Sequence, residues 1–104
     1  MLQSAKITSR PDDVETSTLI KLGQDFVKNG DFSSARLLLG RAAKAGSAAA
    51  ALSLGETFDP LLIRRLGAIG VQPDVAKARE WYQLAAQLGS NTAAQHLAKL
   101  AAPQ

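Results

Sequence analysis

An internal repeat constrains the fold of this chain more than any other feature of its sequence. Residues 30–55 match residues 73–98 at an offset of about 43, and "LIKLGQDF" (residues 19–26) matches "ALSLGETF" (residues 51–58) at about 32. The matched pairs include Asp31 and Asp74, Ala35 and Ala78, Arg36 and Arg79, Ala42-Ala43 and Ala85-Ala86, Gly46-Ser47 and Gly89-Ser90, Leu22-Gly23 and Leu54-Gly55, and Phe26 and Phe58. Repeats of about 20–50 residues are typical of helical arrays. An all-α fold is therefore predicted.

Helix start and stop signals divide the repeats into five helices, A1, B1, A2, B2 and A3. Aspartate and serine side chains can accept hydrogen bonds from the first turn, and glycine tolerates the left-handed conformation that ends a helix. These signals predict A1 from Asp12 or Asp13 to Asn29-Gly30, B1 from Asp31 to Gly46, A2 from Ser47 to Asp59-Pro60, B2 from Asp74 to Gly89, and A3 from Ser90 to Ala101-Ala102. Each A–B pair is a helical hairpin, and A3 is a capping helix without a B partner.

The two offsets differ by about 11 residues, which indicates an insertion in the second repeat within "TFDPLLIRRLGAIGV" (residues 57–71). Asp59 can cap a short helix there, with Pro60 at its first position, where a missing N–H does no harm. Gly67 would end this helix. The proline and the glycines argue against a strand at this position.

The inserted helix has an apolar side and a basic side. Three apolar residues share one arc of it: Leu62, Ile63 and Leu66. We expect them to be buried against one edge of the solenoid. Arg64 lies on the far side, and we expect Arg64 and Arg65 to be available for contact with a partner.

Apolar residues recur at three- and four-residue spacing in B1 and B2, which predicts the core. Aromatic residues make up only 5% of the chain and alanine is abundant, so closely packed helices are favoured. The predicted core is Ala35, Leu38, Leu39, Ala42, Ala43, Ala78, Trp81, Tyr82, Ala85 and Ala86, together with Leu22, Phe26, Leu54, Phe58 and Leu97 of the A helices. A ligand platform formed by Trp81-Tyr82 is the alternative to core packing.

Several short motifs in the second repeat form one known pattern. They are Leu54-Gly55, Gly67, Gly70-Val71, Asp74, Ala78, Trp81-Tyr82, Ala85-Ala86, Gly89 and Ala93-Ala94. With these motifs, residues 48–97 resemble a Sel1-like repeat, a relative of the tetratricopeptide repeat. Residues 19–46 match less well, because Leu38-Leu39 replace the Trp-Tyr pair. The resemblance implies an α/α solenoid with a scaffold or adaptor role and no catalysis by the repeats.

The chain divides into a polar leader or linker, residues 1–13, and a helical repeat domain, residues 14–102. The leader lacks the apolar core of a signal peptide, and no run of about 18 apolar residues predicts a transmembrane helix. There is no cysteine, so the compartment is undetermined. Because A1 has no helix before it, we hypothesise that the chain is the C-terminal module of a larger protein or that A1 packs on another copy.

Residues that could perform catalysis or bind a metal are scarce. His96 is the only histidine, and one histidine without an ordered carboxylate partner makes no catalytic triad. We expect His96 to lie at the surface. Gly67 and Gly70 are separated from the next helix by Gln72-Pro73, unlike a phosphate-binding loop. We expect a protein that is not an enzyme and has no metal, cofactor or small-molecule substrate.

The outward faces of the A helices form the predicted partner surface, because A helices line the concave side of stacked hairpins. Its residues are Lys21, Gln24, Asp25, Lys28, Ser53, Glu56, Thr57, Thr92, Gln95, His96 and Lys99, to which the insertion adds Arg64 and Arg65. The sequence therefore predicts a non-catalytic interaction or scaffold module that binds a protein or peptide segment on this concave face.

Two alternative functions stay open at this stage. One is a C-terminal regulatory or targeting module of a larger enzyme or membrane-associated protein. The other is weak nucleic-acid binding, which a net charge of +3 allows. Against it, basic residues never exceed a pair along the sequence, and no aromatic residues interleave with them.

Overall fold

The computed structural model describes residues 10 and 13–102, and this part of the chain contains six α-helices and no strand. The helices are α1 (Val14–Lys28), α2 (Phe32–Lys44), α3 (Ala48–Phe58), α4 (Pro60–Leu66), α5 (Val75–Gln87) and α6 (Asn91–Ala101). In the same order they are A1, B1, A2, the inserted helix, B2 and A3. The prediction of an all-α chain with five helices and one short inserted helix is confirmed for these residues.

Each helix begins at a side chain that the sequence predicts as its cap. Such a bond satisfies a backbone N–H that has no partner within the helix, and it contributes about 1 kcal/mol. The side chains accept as follows: Asp13 from Thr16 N, Asp31 from Ser34 N, Ser47 from Ala50 N, Asp59 from Leu61 N, Asp74 from Lys77 N and Ser90 from Ala93 N. The alternative cap of α1, Asp12, lies outside the described residues.

The two Gly-Ser junctions have the same backbone geometry. Gly46 and Gly89 adopt φ values of 100° and 110°, a region that favours glycine. The N–H of the following serine then donates to a carbonyl in the last turn of the preceding helix, at 3.3 Å for Ser47 and 2.9 Å for Ser90. Each junction thereby ends a B helix and starts an A helix within two residues.

The residues on either side of the inserted segment, Phe58 and Asp74, lie next to each other. The N–H of Asp74 donates to the carbonyl of Phe58 at 2.8 Å. In the first repeat, which has no insertion, the N–H of Asp31 donates to the carbonyl of Phe26 at 2.9 Å. The same backbone bond therefore joins equivalent residues in both repeats, although one contains about 11 additional residues between them.

The helices pack in sequence, with α2 against α1, α3 against α2 and α5, and α6 against α5, while α4 contacts α3. Alanines at these contacts have no exposed surface: Ala35, Ala42, Ala50, Ala51, Ala78, Ala85 and Ala93. Their short side chains let helix axes approach toward the low end of the usual range of about 8–10 Å. Partly buried residues pack around this core: Phe26, Phe58, Trp81, Leu84, Ala86 and Leu97.

Two glycines make room for a large side chain from the partner helix. A Cβ added at Gly55 would lie 2.6 Å from two ring carbons of Tyr82, and one added at Gly23 would lie 2.7 Å from Cγ of Leu39. Leu39 and Tyr82 are equivalent in the repeat, and both are fully buried. The glycine of each Leu-Gly pair is therefore needed for close packing of the A and B helices.

Three predictions about the burial of single residues on α1, α3 and α4 are wrong. Leu22 is 46% exposed, because α1 packs mainly on α2 within the described residues, whereas α3, which carries Leu54, packs on both α2 and α5. Leu66 is 50% exposed, because the short helix α4 packs mainly on α3 and buries Ile63 instead. Thr57, expected on the partner surface, is fully buried, and its hydroxyl donates to the carbonyl of Leu54 at 2.7 Å.

Replacing Gly55 with alanine should cost about 1–3 kcal/mol in packing, because the added Cβ overlaps the ring of Tyr82. The better helix propensity of alanine, about 1 kcal/mol, opposes this cost, so we expect a net loss of stability of up to about 2 kcal/mol. Urea unfolding followed by circular dichroism measures the difference. Gly40→Ala is the matched control, since no atom lies within 4 Å of a Cβ there, and it should raise stability. Equal stabilisation by both substitutions would contradict the close approach at Gly55.

Candidate functional site

The predicted partner surface is assembled by two side-chain hydrogen bonds between A helices. Gln24 Nε2 on α1 donates to Ser53 Oγ on α3 at 3.3 Å, and His96 Nε2 on α6 lies 3.0 Å from Glu56 Oε2 on α3. Most of the other predicted residues on these helices are exposed: Lys21, Asp25, Lys28, Thr92, Gln95 and Lys99. The polar sides of α1, α3 and α6 therefore adjoin, and we refer to these residues with Gln24, Ser53, Glu56 and His96 as the A-helix face.

The prediction that His96 lies at the surface without a carboxylate partner is wrong. Its side chain is only 13% exposed and contacts the carboxylate of Glu56. Its ring centroid lies 5.1 Å from that of Tyr82, with the rings tilted by 58°. Its Nδ1 is buried and has no hydrogen-bond partner among residues 10 and 13–102. The burial follows from the packing of α6 on α5, which the linear sequence does not reveal.

A buried hydrogen bond joins the insertion to α5. The hydroxyl of Tyr82 donates to Asp59 Oδ2 at 2.7 Å, while Asp59 Oδ1 accepts from the N–H of Leu61 at 2.9 Å. Tyr82 is fully buried and Asp59 is nearly so. One carboxylate thus caps α4 and fixes the tyrosine. The sequence predicts the role of Asp59 as a cap but not its bond to Tyr82, although a buried tyrosine hydroxyl usually finds a partner.

Burial raises the pKa of Tyr82 far above its usual value. The hydrogen bond to Asp59 acts in the same direction, because it holds the protonated hydroxyl. The negative charges of Asp59 and Glu56 add to the effect by disfavouring a phenolate. Tyr82 therefore serves as a neutral donor in this site.

A second contact, which is partly buried, centres on Arg36, a residue that no sequence motif marks as functional. Its Nε donates to Thr57 Oγ1 at 3.1 Å and its Nη2 to the carbonyl of Thr57 at 2.5 Å. The guanidinium carbon lies 3.8 Å from the centroid of the Phe58 ring. Burial lowers the pKa of Arg36 and the charge of Asp74 opposes that shift. Arg36 therefore ties α2 to the end of α3, where a basic group stabilises the terminal carbonyls.

The two arginines of the insertion have different surroundings, although both are exposed. Arg64 borders a cleft of about 390 Å³ together with Lys99 of α6, between walls that include Leu61, Val75 and Leu100. Arg65 does not line this cleft. The fold therefore brings Arg64 close to one predicted residue of the A-helix face and leaves Arg65 apart.

Comparisons of this chain with known proteins identify no relative. No family model, curated protein or solved structure matches the chain. The resemblance to Sel1-like repeats therefore stays a prediction. Within residues 10 and 13–102, no helix has both the length and the apolar character to cross a membrane. The same residues contain no group of three or more histidine, aspartate or glutamate side chains that could hold a metal ion.

Tyr82 is the only tyrosine, so its titration can be followed directly by near-ultraviolet absorbance. We expect no phenolate in the folded protein near pH 10, where an exposed tyrosine ionises. Because the folded-state pKa is raised above the unfolded one, the stabilisation is complete below about pH 10 and is lost as the pH rises further. Urea unfolding at each pH measures that loss.

The protein unfolded in urea is the control for this titration and should ionise normally. Asp59→Asn removes one negative charge but leaves the ring buried, so it should move the pKa of Tyr82 only part of the way back. Phenolate formation near pH 10 with an intact helical signal would contradict the burial of Tyr82.

Proposed function

We propose that this protein is a non-catalytic interaction or scaffold module, built as a short Sel1/tetratricopeptide-like solenoid, that binds a protein or peptide segment on its A-helix face. The observation that carries the proposal is the pair of bonds Gln24–Ser53 and His96–Glu56. These bonds join the polar sides of three helices from different units into one surface. A surface of this kind is the usual binding surface of stacked helical hairpins.

Equivalent contacts in both units support the solenoid arrangement. The Phe26–Asp31 bond of the first hairpin recurs as Phe58–Asp74 in the second, and the Gly-Ser junction after α2 recurs after α5. The relation of α3 to α2 is thus repeated in the relation of α6 to α5. We expect recurring junctions and closures of this kind to stack successive units in the same way, as in a solenoid.

Preorganisation is the proposed mechanism of binding. Gln24, Ser53, Glu56 and His96 are held by one another, so a partner finds them already in place. The ordering of side chains, about 0.5–1.5 kcal/mol for each immobilised one, is then largely complete before association. Exposed neighbours such as Lys21, Lys28 and Gln95 supply charged and amide donors, which suit a polar segment of a partner.

A library of random peptides displayed on phage tests this function even while the natural partner is unidentified. Peptides enriched on the wild-type protein should bind the Lys21→Glu, Lys28→Glu variant and the Gln95→Arg variant at least tenfold more weakly, which is about 1.4 kcal/mol. These residues are exposed, so circular dichroism should stay unchanged. The measurement is a dissociation constant by calorimetry.

Arg79→Glu is the matched control, because it reverses one exposed charge on α5, which is not an A helix. Its affinity for the enriched peptides should equal that of the wild type. Loss of affinity in this control as large as in the A-helix variants would contradict the assigned surface. Failure of the library to yield any enriched peptide would contradict a peptide-binding function.

A further inference from the structure

A groove lies on the other side of α3 from the A-helix face. It occupies about 300 Å³ between α2 and α5, above residues of α3. At 100° per residue, Leu54 in this groove and Glu56 on the A-helix face point about 200° apart. The groove is lined by Arg36, Leu37, Gly40, Arg41 and Lys44 of α2, Leu54 and Phe58 of α3, and Lys77 and Trp81 of α5. We call this surface the basic groove.

Among the residues that the structure describes, every ionisable one that lines the basic groove is positively charged. Arg36 donates a hydrogen bond to the carbonyl of Thr57 at the end of α3. Arg41, Lys44 and Lys77 are exposed. The ion pair seen among the described residues is His96–Glu56, and none of these three cations takes part in it. Three cations on two helices are thus available to carboxylates of a ligand.

The interior of the groove is apolar. Leu54 forms its floor and is 2% exposed, while Phe58 and Trp81 are partly buried beside it. Leu37 is 72% exposed, which is unusual for a leucine with an apolar surface beside it. The space above Gly40 is open, since an added Cβ would meet no atom within 4 Å. An aliphatic side chain from a ligand therefore has both contacts and room.

We propose that the basic groove binds an acidic amphipathic helix of a partner protein. The groove side of α2, residues 37–44, extends over about two helical turns, or roughly 10 Å. A partner helix of that length would place one or two aliphatic side chains against Leu37, Leu54 and Trp81. Its flanking carboxylates would reach Arg41, Lys44 and Lys77. Recognition by apolar anchors of an amphipathic helix in a groove is a common mode of peptide binding.

The aromatic residues of the groove favour a protein ligand over single-stranded nucleic acid. The Phe58 ring is already covered by the guanidinium of Arg36 at 3.8 Å, and the Lys77 Nζ lies 5.7 Å from its centroid. Only Trp81 remains for stacking, whereas nonspecific single-strand binding uses several aromatic rings in succession. The aliphatic wall of Leu37 and Leu54 suits leucine-like side chains better than bases.

The test uses a synthetic helical peptide with leucines at i and i+4 and glutamates flanking them. Trp81 is the only tryptophan, so its fluorescence reports occupation of the groove directly. We expect a saturable change of the Trp81 emission with this peptide. The same peptide with glutamine in place of glutamate should bind at least tenfold more weakly. Equal binding of both peptides, or no response of Trp81, would overturn the proposal.

Two variants test the two components of the groove. Lys44→Glu with Lys77→Glu reverses two rim charges and should weaken binding of the acidic peptide at least tenfold. Gly40→Gln fills the open space and should also weaken binding, while its thermal stability equals or exceeds that of the wild type because glutamine favours helix over glycine. This second variant keeps the test valid if the charge reversal disturbs folding.

Lys21→Glu with Lys28→Glu is the control, because it makes the same charge change on the A-helix face. It should leave the affinity for the acidic peptide unchanged, so failure of the groove and failure of the A-helix face can be told apart. Single-stranded oligothymidylate of equal charge is the second control. If it binds more tightly than the peptide and responds to the same variants, the groove is a nucleic-acid site and the proposal is wrong.

Discussion

The close approach of A and B helices at two glycines is the contact on which the rest of the structure depends. Tyr82 and Leu39 occupy the space that a Cβ of Gly55 or Gly23 would take. This space lets the ring of Tyr82 pack against α3, and its hydroxyl donates a hydrogen bond to Asp59. That bond orients the start of α4, and the same ring lies beside His96. The position of the insertion and that of α6 therefore both depend on one missing methyl group.

The second repeat tolerates the insertion because a backbone hydrogen bond joins the residues on its two sides. The carbonyl of Phe58 bonds to the N–H of Asp74 as the carbonyl of Phe26 bonds to the N–H of Asp31. A strained excursion would shift α5 away from α3, yet this bond length is the same within 0.1 Å in both repeats. The additional residues can thus contribute a new surface, including Arg64 beside Lys99, without altering the stacking of the helices.

The helix boundaries were predictable from the sequence because local chemistry determines them. Each N-cap bond spans three residues or fewer, so Asp31, Ser47 and their counterparts could be identified from their immediate neighbours in the chain. The sites were less predictable because they combine separate elements. His96 and Glu56 are 40 residues apart, and Tyr82 and Asp59 are 23 apart. Trp81 lies beside basic residues of α2 because α3 packs against both α2 and α5.

Helix α3 is the common support of both candidate surfaces. It packs against α1, α2, α4 and α5. Its polar side provides Ser53 and Glu56 to the A-helix face, while its apolar side provides Leu54 and Phe58 to the basic groove. Arg36 of α2 and Tyr82 of α5 both donate hydrogen bonds at its C-terminal end, to Thr57 and to the C-cap residue Asp59. The two candidate surfaces therefore lie on opposite sides of one helix that is bonded to both α2 and α5.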